Sequence, residues 1–325
     1  MILYVPIVSA LVSFLLTALL MSGRLGRVLQ DIPNARSLHE QPVPRIGGIG
    51  IVAGLLCGWS LLPASPEWWL LLPCIGLFIV SLLDDLQSLS VSQRLFAHLV
   101  AAAVLLYGSG VLDTQGHWLA LPLLLLIVWV TNLYNFMDGS DGLAGGMALF
   151  GFAFLGMGSL FAQAYGLAML NFSISAAALG FLVFNFPPAK VFMGDAGSIP
   201  LGFLAAAMGL TGWQQGCWEP WFPLLVFSPF VVDASVTLIR RTLRGARITE
   251  AHREHYYQRA IQMGRGHRSV ALVAYGLMTG CGITAMTALW QAWAWPVLLG
   301  WACIYGALMF FVDAAWKRSG RSRIA

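Results

Sequence analysis

The chain alternates between long apolar runs and short polar clusters, and the runs share one length. Eleven apolar segments lie near 2–22, 46–63, 67–86, 93–112, 117–137, 141–162, 164–186, 197–213, 219–239, 269–290 and 292–313. Each is close to the ~20 residues a helix needs to cross a hydrocarbon core of ~30 Å. The pattern predicts an all-α polytopic integral membrane protein of eleven transmembrane helices, folded as a single domain over 1–325. The first segment has no basic n-region and no clear cleavage site, so it is expected to stay as a span and not to act as a signal peptide.

Charge fixes the expected orientation. With the N-terminus outside, the basic stretches 24–45, 240–268 and 317–323 fall inside, as do the single charges Arg94 and Lys190. The outer loops hold Glu67, Asp113, His117 and Glu219, several tryptophans and no Lys or Arg. Positive charge is retained on the cytoplasmic face and tryptophan concentrates at interfaces, so the polar clusters are predicted to be cytoplasmic, in a multi-pass membrane protein.

Composition agrees: 58% of residues are hydrophobic, 10% are charged and the mean hydropathy is +0.77. The net charge of +4 sits in short juxtamembrane loops, which argues against a nucleic-acid partner. The five cysteines lie in or beside apolar segments without metal-type spacing and are expected to be packing residues. His98 is expected to be hydrogen-bonded between helices, and His117 to be an interfacial residue.

The clusters carry the chemistry. Asp84-Asp85 closes the third segment, against the sign of the helix dipole. Successive helical residues are ~100° apart, so one carboxylate is expected to face a site and the other to hold a basic residue. In TNLYNFMDGSDGLAGG, Asn132, Asn135, Asp138 and Asp141 recur every three residues before Gly139 and Gly142 can break the helix. A break lets these oxygens converge, and such a set suits a hard cation such as Mg²⁺. In FNFPPAKVFMGDAGS, Pro187-Pro188 ends a helix and Gly194 to Ser198 turns into the next. Asp195 is a second candidate metal ligand there. The turn's N–H groups, with Gly194, Ser198 and the nearby Lys190, are candidates for phosphate binding.

The loop RRTLRGARITEAHREHYYQRAIQMGRGHR is the most charged stretch. Read as a helix, it puts His252, His255 and Arg259 on one face, suited to a diphosphate. The first inner loop carries Asp31, Asn34, Arg36, His39 and Arg45. Asp233, inside the ninth segment beyond Pro229, is either functional or paired with a neighbouring helix.

In this order, an Asp-Asp at a helix end, NxxNxxDGxDGLA, FMGDxGS and a basic His-containing loop resemble the polyprenyl-phosphate N-acetylhexosamine-1-phosphate transferases. That family includes the phospho-MurNAc-pentapeptide translocase and the enterobacterial GlcNAc-1-phosphate transferase. The resemblance runs from about Asp31 to Arg268. The translocase carries three consecutive histidines where this chain has His252-Arg253-Glu254-His255. The loops look more like the subgroup that starts O-antigen synthesis with a 6-deoxy sugar such as FucNAc or QuiNAc.

The resemblance implies that undecaprenyl phosphate attacks a UDP-N-acetylhexosamine, giving the lipid diphospho-sugar and UMP. It implies Mg²⁺, with Mn²⁺ also acceptable, on Asn135 and Asp195. It gives catalytic roles to Asp84, Asp85, Asp138, Asp141 and His255, and substrate contacts to Asn132, His252, Arg259, Arg45, Lys190, Gly194 and Ser198. A homodimer is consistent with it. Two other classes fit some of the same residues. An intramembrane prenyltransferase also uses acidic clusters, though of DxxxD type on two helices. An ion-coupled transporter also has intramembrane acids and broken helices, but it calls for polar residues near the midplane and an internal repeat.

Overall fold

The computed structural model describes residues 4–33, 38, 41–246 and 252–320. Asn34, Arg36 and His39 of the first inner loop lie outside the described residues. α1 (Tyr4–Ser22) leads through α2 (Leu25–Val28) to a two-residue antiparallel ladder, β1 (Gln30–Asp31) with β2 (Val43–Pro44). There follow α3 (Gly47–Trp59), α4 (Trp68–Gln87), α5 (Val91–Ser109), α6 (Val111–Gln115), α7 (Ala120–Phe136) and α8 (Leu143–Phe161). The chain continues through α9 (Tyr165–Asn185), α10 (Asp195–Gln214), α11 (Trp221–Val226) and α12 (Ser228–Leu243). It ends with α13 (Tyr256–Gln262), α14 (His267–Gln291) and α15 (Ala294–Arg318). Apart from the ladder, the fold is the expected all-α one.

Among the described residues, nine helices are long and apolar enough to cross a membrane. Two of the eleven expected segments behave differently. The segment 46–63 forms only the 13-residue α3, which stops before Pro63 and Pro66. The segment 219–239 is split at Phe227 between α11 and α12. Pro229 has no N–H to donate back into the preceding turn, and the hydroxyl of Ser228 donates instead to the carbonyl of Leu225 at 2.7 Å.

Small residues let α1 and α3 approach closely, as helices in lipid must when no hydrophobic force drives them together. Gly50, Gly54 and Gly58 face Thr17, Ser13 and Ser9, one turn per pair. A Cβ on Gly54 would fall 2.5 Å from the carbonyl oxygen of Ser9. Gly54→Val is therefore expected to destabilise the protein by about 1–3 kcal/mol or more, read as a lower thermal midpoint in detergent. An unchanged midpoint would contradict this packing.

α10 is the central helix: 89% of its apolar stretch is buried, against none for α15. It packs on α7, α4 and α3. Its N-terminus is tied to the β ladder, because Phe192 donates its N–H to Pro44 and Gly47 and Gly48 donate theirs to Phe192 and Met193. The start of α10 is thus fixed beside the ends of α4 and α7.

Candidate active site

The end of the bundle where α4, α7 and α9 finish and α10 and α14 begin encloses a cavity of about 540 Å³. The expected helix break at 137–142 supplies one wall, with the chain turning through Gly142 at φ 72°. Asp84 and Asp85 both line the cavity. Both line it where one was expected to, and the expectation that the other holds a basic residue is met by Asp84, which is paired with Arg94. Their partners differ. Asp84 accepts from Nη1 of Arg94 at 3.2 Å and from the N–H of Leu89 at 2.6 Å. Asp85 accepts from the N–H groups of Asp195 and Ala196 at 3.3 and 3.0 Å, and its Oδ1 lies 3.9 Å from Arg45.

The start of α10 was expected to offer its N–H groups to a phosphate. In the structure Asp85 accepts two of them, so an anion is already in place. Gly194 lines the cavity at φ 70°, and a Cβ there would come 2.8 Å from Oδ2 of Asp85. Asn135 donates to Oδ1 of Asp195 at 2.7 Å and to the hydroxyl of Ser198 at 3.0 Å. The two expected metal ligands, sixty residues apart in sequence, are thus neighbours.

Asp141 accepts from the N–H of Ala189 at 2.9 Å and lies 3.4 Å from Nδ1 of His267. The carboxylate of Asp138 receives no hydrogen bond from any described residue. Burial, and then Asp195 and Asp85 nearby, push its carboxyl well above the usual carboxylate range.

Six aspartates (Asp31, Asp84, Asp85, Asp138, Asp141 and Asp195) line the cavity, against the guanidiniums of Arg45 and Arg94. Arg45 is also paired with Asp31. Acidic side chains thus outnumber basic ones among the described residues of the lining. Among the described residues no three of His, Cys, Asp and Glu converge into a metal cage. Carboxylate and amide oxygens are donors of the kind Mg²⁺ accepts, and one or two of them would leave room in its shell for waters and substrate oxygens.

A second cavity, of about 630 Å³, adjoins the first. The two share Arg94, Asn135, Phe136, Asp195 and Gln258. Val91, Leu95, Leu125, Val128, Trp129, Ile199 and Leu238 give the second cavity an apolar wall, while His252 and His255 stand at its polar end. Asn132 lines it and donates to the carbonyl of Val128 at 2.8 Å; its amide nitrogen is also 3.0 Å from Nδ1 of His98, the expected bond between helices. Burial, then His255 and Arg241, push the His252 imidazole down to about 4, so it is neutral at pH 7.

Three of the expected substrate contacts line neither cavity. Ser198 is buried beneath Asn135, and Lys190 is exposed. Arg259 donates to Asp313 of α15 at 2.9 Å and lies over the rings of Tyr256 and Trp316. The single helical face expected for His252, His255 and Arg259 does not form, because α13 begins only at Tyr256. The two histidine rings still meet, with centroids 4.9 Å apart. The structure adds Arg94, Gln258 and His267 to the lining. In the sequence each gave only a weak signal: a lone juxtamembrane charge, or a place within the basic loop.

The model of glycosyl transferase family 4 matches residues 68–212. The chain is 30% identical over 293 residues to the probable undecaprenyl-phosphate N-acetylglucosaminyl 1-phosphate transferase of Bacillus subtilis (strain 168), covering 83% of this chain and 82% of the relative. The chain belongs to the polyprenyl-phosphate N-acetylhexosamine-1-phosphate transferases, within glycosyl transferase family 4. Other members resemble it over similar lengths. The decaprenyl-phosphate N-acetylglucosaminephosphotransferase of Mycobacterium tuberculosis (strain ATCC 25618 / H37Rv) is 30% identical over 303 residues, 79% of this chain and 74% of the relative. The undecaprenyl-phosphate alpha-N-acetylglucosaminyl 1-phosphate transferase of Escherichia coli (strain K12) is 28% identical over 328 residues, 94% of this chain and 88% of the relative. In this transferase family member, the family model's span ends with α10 and so covers the acidic pair, the broken α7–α8 turn and the start of α10.

Proposed function

We propose that the protein transfers an N-acetylhexosamine-1-phosphate from a UDP-sugar to undecaprenyl phosphate, starting a cell-surface polysaccharide such as O-antigen at the cytoplasmic face of the bacterial inner membrane. One observation carries the reading: a polar, acidic cavity and a cavity with an apolar wall meet at Arg94, Asn135 and Asp195. The first suits a nucleotide diphospho-sugar together with a cation. The second suits a lipid phosphate, its headgroup at the junction and its chain along Leu95, Leu125 and Ile199. The grouping of basic residues at this end supports the cytoplasmic assignment.

The lipid phosphate oxygen attacks the β-phosphorus of the donor. One P–O bond forms, the bridging P–O bond to the α-phosphate breaks, and UMP leaves with the bridging oxygen. The nucleophile is already an anion, so no base is required. Asn135 and Asp195, with Asp138 beside them, would hold Mg²⁺ or Mn²⁺, which supplies the positive charge that lets anionic phosphates approach each other. Arg94 balances Asp84 and Asp195 at the meeting point, and Arg45 stands beside Asp85. His255 and His252 face the phosphates from the second cavity. This arrangement at one end of the bundle favours a transferase over an ion-coupled transporter. The adjacent acids and the turn at Gly194 to Ser198 favour it over a prenyltransferase.

The test is UMP release by the purified protein with undecaprenyl phosphate, Mg²⁺ and a panel of UDP-N-acetylhexosamines. UDP-GlcNAc is the donor suggested by the relatives' names, and UDP-FucNAc and UDP-QuiNAc are those suggested by the inner loops. Release that needs lipid and divalent cation together is the expected result. Release without lipid, or none from folded protein, would overturn the reading.

Asp138 gives a pH dependence. Its carboxyl is held above the usual range by burial and neighbouring acids, so in the cation-free cavity it takes up a proton at higher pH than an ordinary carboxyl. Proton and cation then compete, and activity is lost as pH falls. Raising Mg²⁺ tenfold is expected to move the acid limb of kcat/KM down by up to about one pH unit. An acid limb that ignores Mg²⁺ would remove Asp138 from the cation site.

A further inference from the structure

Asp233 lies in α12 and lines neither cavity, yet it touches His255 and Tyr257, which do. Its carboxylate is nearly buried, 8% exposed. Oδ1 accepts from the N–H of Tyr256 at 2.8 Å and from the hydroxyl of Thr237 at 3.2 Å, while Oδ2 accepts from the N–H of Tyr257 at 3.1 Å. Oδ1 is also 3.5 Å from Nδ1 of His255.

The His255 ring is held between the rings of Phe136, His252 and Tyr257. Its Nδ1 is buried, its side chain faces the N–H of Gln258 in the capping box that opens α13, and Oδ1 of Asp233 lies 3.5 Å away. Directly after His255, Tyr257 lines the first cavity and Gln258 lines both. The preceding stretch has its own fastening, since Glu254 pairs with Arg241, Arg244 and Arg259. The contacts of Asp233 fall on residues 255 to 257.

We propose that Asp233 is a positioning residue for His255. By accepting the N–H groups of Tyr256 and Tyr257 the carboxylate holds the first turn of α13, and by standing 3.5 Å from Nδ1 it fixes where the His255 ring sits at the second cavity. The inference rests on the transferase reading above.

The experiment is a double-mutant cycle in the UMP-release assay, using the full-length protein in detergent with lipid, Mg²⁺ and the best UDP-sugar. Asn at 233 offers one acceptor oxygen and one NH₂, so one backbone N–H loses its partner. Asp233→Asn is expected to lower kcat about 100-fold, the loss that follows misplacement of a reacting group by about 1 Å, with KM for the donor changed little. If Asp233 acts through His255, Asp233→Asn combined with His255→Ala turns over no more slowly than His255→Ala alone. A carboxylate with a purely structural role would instead give losses that multiply.

Thr237→Val, which removes only the hydroxyl bond to Oδ1, serves as a milder second variant. It is expected to show a smaller loss and the same lack of additivity with His255→Ala, and it decides the question if Asp233→Asn does not fold. Multiplying losses, or unchanged kcat in Asp233→Asn, overturn the inference while the active wild type leaves the transferase reading standing. A folded wild type that releases no UMP with any donor overturns both.

Discussion

Asp195→Asn is expected to insert and purify like the wild type while turning over on the order of a thousand-fold more slowly, the scale of removing a group that stabilises charge in a transition state. Asp195 is the first residue of α10 and lines both cavities. Its Oδ1 accepts from Asn135, and Oδ2 lies 3.7 Å from Arg94. The substitution keeps the shape and the tie to Asn135 but removes a carboxylate at the point where the two cavities meet. The fold does not depend on that charge, because Asp85 caps the N-terminus of α10 through the backbone. The check is UMP release over a Mg²⁺ series, together with the elution profile and thermal midpoint of the variant. Near-normal turnover would sink the metal assignment. Partial rescue at high Mg²⁺ would strengthen it.

The second large effect is expected at Arg94. Arg94→Ala should lower kcat about 100-fold or more, with a rise in KM for the lipid acceptor. Arg94 lines both cavities and sits between Asp84 and Asp195, with Nη1 3.2 and 3.7 Å from their carboxylates. Without it, Arg45 is, among the described residues, the remaining guanidinium on the acidic cavity, and Arg45 is already paired with Asp31. The acceptor phosphate then meets an uncompensated carboxylate pair. Arg94→Lys restores charge but not the forked geometry, and should recover only part of the loss. Steady-state kinetics against each substrate separate the two contributions. An Arg94→Ala protein with wild-type kcat would show that the cavities meet without its help.

What could be read in the chain was what depends on local pattern. The apolar runs gave the helices, and the glycines after Asp138 and Asp141 gave the break between α7 and α8. The charged ends gave the polar face of the bundle. What could not be read was pairing between residues far apart. Arg94 looked like an isolated anchor because its partners Asp84 and Asp195 come together only through packing of α4, α5 and α10. Arg259 looked like a phosphate ligand until Asp313, fifty-four residues later, took its guanidinium. The N–H groups at the start of α10 looked free because nothing in FMGDAGS announces that Asp85 reaches them. The split of α11 from α12 needed Pro229 and Ser228 weighed together, and apolar periodicity carries no such information.

The shared wall between the cavities has a consequence for inhibition. A uridine-bearing group placed in the acidic chamber and an alkyl tail placed along Leu95, Leu125 and Ile199 are separated only by the gap at Asn135 and Arg94. A linker that threads this gap turns the second engagement into an intramolecular one, at an effective concentration in the millimolar range for a short flexible tether. Two fragments that each bind weakly would then combine into one ligand whose affinity exceeds either by a factor of about 10² to 10⁴. A linker too short to pass the gap would bind no better than its stronger half.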